Sequence, residues 1–214
     1  MKNNITEAVF ILDESGSMGN LTEDTIGGFN SVLESHRSET GSFLVTTVLF
    51  SNSSRIIHDR LPIEKVPNLT GRDYCAHGCT ALVDAIADAI KHIENIHKYA
   101  RPEDVPAKTL FLITTDGMEN ASRKYSSAEL KKMITEKQEN GWEFVYLAAN
   151  IDAVETAKHY GIDERNAVNY HNDPLGTSRK FAAMDRAMRL KREDACLADD
   201  SDWRLDVDED FNNR

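Results

Sequence analysis

Residues 8–12 (AVFIL) form an unbroken apolar run that ends in Asp13. A run this short and uniform predicts a strand buried on both faces, as in a parallel sheet covered by helices. The spacing then changes, and Ile26, Phe29, Asn30 and Leu33 recur at helical intervals over residues 24–36. Residues 42–50 (SFLVTTVLF) are β-branched and aromatic, which predicts a second strand. Residues 55–58, closing before Pro62, predict a short edge strand paired to it. Residues 80–99 predict a long amphipathic helix with Leu82, Ile86, Ala89, Ile90 and Ile93 along one face.

The first pattern returns over residues 108–115 (KTLFLITT), again apolar and again delivering an acid, Asp116. Ser127, with Leu130 three residues on, predicts a helix start with a plain cap and no capping box. Gly141 ends that helix, and residues 142–149 read as the next buried strand. A helix over residues 152–160 is stopped by Gly161, and residues 167–170 make a short last strand. The final helix, residues 174–193, turns Phe181, Met184 and Met188 toward the core. Strands alternating with helices imply an α/β fold: a doubly wound, mostly parallel, Rossmann-like sheet with one short antiparallel edge strand. No internal repeat or linker divides the chain, so residues 1–194 read as one domain. Residues 195–214 read as an acidic tail, solvated and flexible, with Asp199, Asp200, Asp202, Asp206, Asp208, Glu209 and Asp210 around Trp203 and Leu205.

Length and charge narrow the function. The 214 residues suffice for one α/β domain with a full core. A net charge of -11 argues against nucleic acid as a partner, because phosphate binding needs clustered Lys and Arg. The polar N-terminus and the lack of a long apolar run argue against a signal peptide and a membrane partner, so the expected location is cytoplasmic. Three cysteines, Cys75, Cys79 and Cys196, cannot all pair within one chain and fit a reducing compartment. Cys75, His77 and Cys79 lack a second pair with zinc spacing and read as part of an ordinary loop.

Doubly wound sheets bind ligands beyond the C-terminal ends of their strands, near the point where strand order reverses. Asp13 and Asp116 both sit at such ends. Directly after the first strand, Asp13-Glu14-Ser15-Gly16-Ser17 offers one carboxylate and two hydroxyls at alternate positions, with Gly16 easing the turn. Thr80 and Asp116 add two more oxygens from separate loops, and a hard cation such as Mg²⁺ wants such an oxygen shell.

These residues resemble the metal-ion-dependent adhesion site (MIDAS) of von Willebrand factor A (vWA) domains. The pattern there is D-x-S-x-S after the first strand, a lone Thr in a later loop, and an Asp after the fourth strand. Asp13/Ser15/Ser17, Thr80 and Asp116-Gly117 stand here in that order, and the resemblance covers roughly residues 7–170. It implies one Mg²⁺ or Mn²⁺ held by Asp13, Ser15, Ser17, Thr80 and Asp116. The serines would bind directly, Thr80 directly when a ligand is present, and the acids often through water. It further implies a vWA-type protein-binding module whose metal takes an Asp or Glu from a protein partner. Intracellular bacterial members work beside ATPases or stress-response machinery, so such a component is the implied partner. Met18-Gly19-Asn20-Leu21 lacks the paired acids that hold an extra cation in some members, which implies a single metal.

Two other functions compete. Phosphatases that attack with Asp need a second Asp two positions on, where this chain has Ser15. The hydrolase elbow G-x-S-x-G fails, since Ser15 stands two residues before Ser17. The chain therefore reads as a non-enzyme, and a scaffold with a vestigial metal site is the remaining alternative.

Overall fold

The parallel strands are those the apolar runs predict, and their two-sided burial explains why those runs are continuous. In the computed structural model, which describes residues 5–38, 42–193 and 195–214, the strands are β1 (Ile5–Asp13), β2 (Ser42–Phe50), β3 (Ser54–Pro62), β4 (Lys108–Thr115), β5 (Trp142–Ala148) and β6 (Ala167–Asn169). The polar residues 1–4 and residue 194, where the tail is set off, lie outside the described residues. The helices are α1 (Thr22–Arg37), α2 (Leu82–Tyr99), α3 (Ser127–Glu139), α4 (Ala153–Tyr160), α5 (Pro174–Arg192) and α6 (Leu205–Asn213). One sheet runs in the order β3-β2-β1-β4-β5-β6. Only the β2–β3 pair among these is antiparallel.

Strand order reverses at β1, which pairs with β2 on one side and β4 on the other. Successive β1 side chains serve opposite layers. Ala8, Phe10 and Leu12 join Phe29, Val32 and Leu33 of α1 and Phe181, Met184 and Met188 of α5. Val9 and Ile11 join Leu82, Ile86 and Ile90 of α2 and Leu130 and Ile134 of α3. Burying each large apolar side chain contributes about 1.5–3 kcal/mol. Helices α1 and α5 pack closely enough that a Cβ on Gly28 would lie 2.2 Å from the Phe181 ring.

Several local expectations are corrected. The edge strand β3 runs nine residues, and its pairing with β2 is irregular between Val45 and Val48. Pro62 ends β3 instead of merely bounding it, and an edge strand is where a sheet tolerates proline. Ser126, not Ser127, caps α3, and it forms a full capping box with Glu129. Helix α2 begins at Leu82 with Ala81 as N-cap, so Thr80 lies ahead of the helix and does not cap it.

The acidic C-terminal segment packs onto the domain, in place of the expected solvated tail. Leu197, Trp203 and Val207 are buried in the α1/α5 layer, and the Trp203 indole N–H donates to the Leu197 carbonyl at 3.3 Å. The charge pattern masked this, because the acids are paired with cations, some on α5 and some within the segment itself. Asp206 pairs with Arg186 and Arg179, and Arg214 bridges Asp210 and Asp173. No described helix is long and apolar enough to cross a membrane.

Candidate metal site

The last residue of β1 is held rigidly from below. Asp13 is almost wholly buried. Its Oδ1 accepts the Ser15 N–H at 2.7 Å, and its Oδ2 accepts the Thr115 hydroxyl at 2.6 Å. Burial pushes the Asp13 carboxyl above its ordinary value. The Thr115 and Ser15 hydrogen bonds pull it back, and the charge of Asp116 adds to the rise. The Tyr74 hydroxyl donates to the Asp13 carbonyl, pinning the backbone where the strand ends.

The two serine hydroxyls lie 3.1 Å apart. Ser17 Oγ donates to Asp116 Oδ1 at 2.6 Å, which joins the β1 loop to the end of β4. Asn172 Nδ2 donates to Asp116 Oδ2 at 3.1 Å, and Asn150 Nδ2 donates to the Asp116 carbonyl at 2.8 Å. Glu14, between Asp13 and Ser15, is turned away and accepts two bonds from Arg55, at 3.3 and 2.8 Å.

Thr80 reaches the same edge through its loop. The Gly16 N–H donates to the Gly78 carbonyl at 3.1 Å, and the Ala81 N–H donates to the Ser51 carbonyl at 2.8 Å. Gly78 has a φ of +74°, and a Cβ there would lie 2.7 Å from Asn52 Nδ2, so a side chain would be strained in the backbone and would displace the Asn52 amide. Asn120 clasps Thr80 in both directions. Its Oδ1 accepts the Thr80 N–H at 2.9 Å, and its N–H donates to the Thr80 carbonyl at 3.0 Å. Both bonds engage the backbone and leave the Thr80 hydroxyl out of the clasp.

Sequence reasoning missed the residues that stitch this edge. The Glu119 carboxylate accepts N–H bonds from Val83, Ala121 and Ser122. The Asp84 carboxylate accepts N–H bonds from Arg123, Lys124 and Tyr125. Together they bind the loop after β4 to the first turn of α2. Asn120 and Thr80 are 40 positions apart, and no local pattern marks them as partners. Thr115 was the one legible case, since it stands beside Asp116 at a strand end. Behind the edge lies another unforeseen residue, Lys180, fully buried and within 3.4 Å of the Tyr170 hydroxyl.

The Cys75–Cys79 stretch carries no comparable construction. Its cysteines are free and exposed, and His77 bonds the Cys75 carbonyl through Nδ1 at 2.7 Å. Among the described residues no group of three or more His, Cys, Asp or Glu could hold a metal. The oxygen cluster at the sheet edge is of another kind, with two carboxylates, Asp13 and Asp116, beside the three hydroxyl residues Ser15, Ser17 and Thr80.

No protein-family model matches the sequence, and no curated protein matches it. Solved structures do. A von Willebrand factor type A protein from Catenulispora acidiphila matches over 86% of this chain and 42% of its own, with a TM-score of 0.54 and 16% identity. The fold is that of von Willebrand factor A domains. A second vWA-like structure is proximal thread matrix protein 1 of the mussel byssus, with a zinc-occupied MIDAS motif. It has a TM-score of 0.59 and 14% identity, covering 88% of this chain and 47% of that one. The manganese-loaded TRAP protein of Plasmodium vivax matches with a TM-score of 0.54 and 14% identity, covering 84% of this chain and 73% of that one. This chain spans less than half the length of the first two structures. In this vWA fold, Asp13, Ser15, Ser17 and Asp116 stand together at the switch point, and Thr80 is tied to the loop after β4 through Asn120.

Proposed function

We propose that this vWA-fold chain is a divalent-metal-dependent protein-binding module, with the metal held by Asp13, Ser15, Ser17, Thr80 and Asp116. The observation that carries this reading is the convergence of Ser15 Oγ, Ser17 Oγ and Asp116 Oδ1 at 3.1 and 2.6 Å. The donor set fits a hard cation, being oxygen throughout, and the serine spacing is close to the edge of about 3 Å of an octahedron with bonds of about 2.1 Å. Mg²⁺ or Mn²⁺ suits such a site. Bound there, the cation supplies a Lewis-acidic position that accepts a carboxylate from a partner's Asp or Glu. This chain's residues do the holding. Thr115 and the Ser15 N–H orient Asp13, Asn172 orients Asp116, and Asn120 fixes Thr80. Position 15, where an aspartyl phosphatase carries its second acid, holds a serine turned to Ser17, which favours binding over phosphate hydrolysis.

The test is a Mn²⁺ titration followed by electron paramagnetic resonance, with acetate added as a minimal partner carboxylate. Wild type is expected to bind Mn²⁺ and then acetate. Ser15→Ala and Asp116→Asn should weaken Mn²⁺ at least about tenfold while unfolding near the wild-type temperature in chelator. Equal Mn²⁺ affinity in all three proteins overturns the assignment.

A further inference from the structure

Lys180 projects from α5 into the interior and is fully buried. Its Nζ donates to the Tyr170 hydroxyl at 3.4 Å, and it lies 4.6 Å from the Tyr170 ring centroid and 5.1 Å from that of Phe181. The Tyr170 hydroxyl in turn donates to the Thr115 carbonyl at 3.0 Å, and the Thr115 hydroxyl donates to Asp13. This relay places the ammonium directly behind the strand ends that carry the two acids. The negative charges acting on it are Asp116 and Asp13. Burial lowers Lys180 to about 8 even with the Asp116 and Asp13 carboxylates opposing it, and those two charges favour its ammonium form. A buried ammonium is costly to fold around. Its aromatic surroundings would accept an apolar chain of the same length.

Charge balance at the site gives the lysine a purpose. Asp13 and Asp116 together cancel a divalent cation. Glu14 is already matched by Arg55. With Lys180 included, the loaded site carries one positive charge in excess, and the balance closes when a third carboxylate arrives. We infer that Lys180 is a built-in counter-charge that makes the loaded site select an anionic partner group over a neutral one. This rests on the metal-binding reading above and deepens it. The same ammonium repels the dication, so it weakens the metal while it strengthens the carboxylate. Lys180 touches neither group; it acts through the field behind Asp13 and Asp116.

Lys180→Met keeps the chain length and removes the charge, and Lys180→Gln removes it while retaining a hydrogen-bond donor. Calorimetry gives the Mn²⁺ affinity of each protein, then the acetate affinity of each Mn²⁺-loaded protein. The neutral variants are expected to bind Mn²⁺ at least about threefold tighter and acetate at least about threefold more weakly. A merely structural lysine would not move the two affinities in opposite directions. Should the Met variant lose its wild-type circular dichroism, the Gln variant decides. Wild type that binds Mn²⁺, with folded variants that bind it no tighter, overturns the role of Lys180 alone. Wild type that binds no Mn²⁺ overturns the metal reading and this inference with it.

Discussion

Ser17 Oγ donates a 2.6 Å hydrogen bond to Asp116 Oδ1, although 99 residues separate them in the chain. The bond crosses from the loop after β1 to the end of β4, the two strands between which the sheet reverses its order. Neither residue would serve a cation alone. Held together, with Ser15 beside them and Asp13 locked underneath, they present oxygens from two loops to one point. The geometry of the site is thus a property of adjacent parallel strands.

Metal should stabilise the folded chain. A ligand that binds only the native state adds about 2.7 kcal/mol at 100 times its dissociation constant. Saturating Mg²⁺ is therefore expected to raise the melting temperature of wild type, with little response in Asp13→Ala or Ser15→Ala. Differential scanning calorimetry with and without chelator checks this, and equal shifts in all three proteins would remove these residues from the site.

Thr80→Ala separates ligand from scaffold. Thr80 precedes α2, and Ala81 caps that helix without any side-chain bond, so the loss of about 1 kcal/mol typical of a removed cap should not occur. Acetate binding to the Mn²⁺-loaded variant should nevertheless fall, because the hydroxyl outside the Asn120 clasp is gone. A full cap-sized loss of stability in urea, with carboxylate affinity intact, would contradict both statements.

Asp185 links α5 to α1 through Ser35 and His36, and also accepts from Arg189 at 2.9 Å. Burial works against its charge, but hydrogen bonds from His36, Ser35 and Arg189 outweigh it and hold the carboxyl well below the usual value of 3.8. A depressed folded value means the unfolded chain binds the extra proton first. Its stabilisation is present above the unfolded value and is lost as pH falls through the folded one. Asp185→Asn should cost about 1.5–3 kcal/mol at neutral pH, and the gap to wild type should narrow below about pH 4. Urea unfolding across that range measures it; a gap that widens in acid would reverse the sign argued here.

Trp203 tests whether the acidic segment belongs to the folded domain. It is 1% exposed and packs in the α1/α5 layer. Trp203→Ala is expected to cost about 3–5 kcal/mol, as truncation of a buried aromatic does. A change under about 0.5 kcal/mol, the usual scale for surface positions, would return residues 195–214 to the status of a loose tail.

The apolar runs before Asp13 and Asp116 determined by themselves that these acids end buried parallel strands, because two-sided burial favours an unbroken apolar run in such a strand. The doubly wound class was legible for the same reason, and the resemblance that proposes Asp13, Ser15, Ser17, Thr80 and Asp116 as a set rests on strand ends, hydroxyl spacing and order along the chain, which are one-dimensional facts. Where elements start and stop was less so. The capping box at Ser126 and the length of β3 depend on hydrogen bonds that a hydropathy pattern does not register. The segment around Trp203 was misread because its charges dominate the composition, while the cations that meet them, Arg186 and Arg179, lie on α5. Tertiary structure alone decided the groups around the site: Asn120 on Thr80, Asn172 on Asp116, and Lys180 behind both acids. Each is far from its counterpart in the chain, and a hydrogen bond or a buried charge acts over a few ångströms of space without regard to sequence distance.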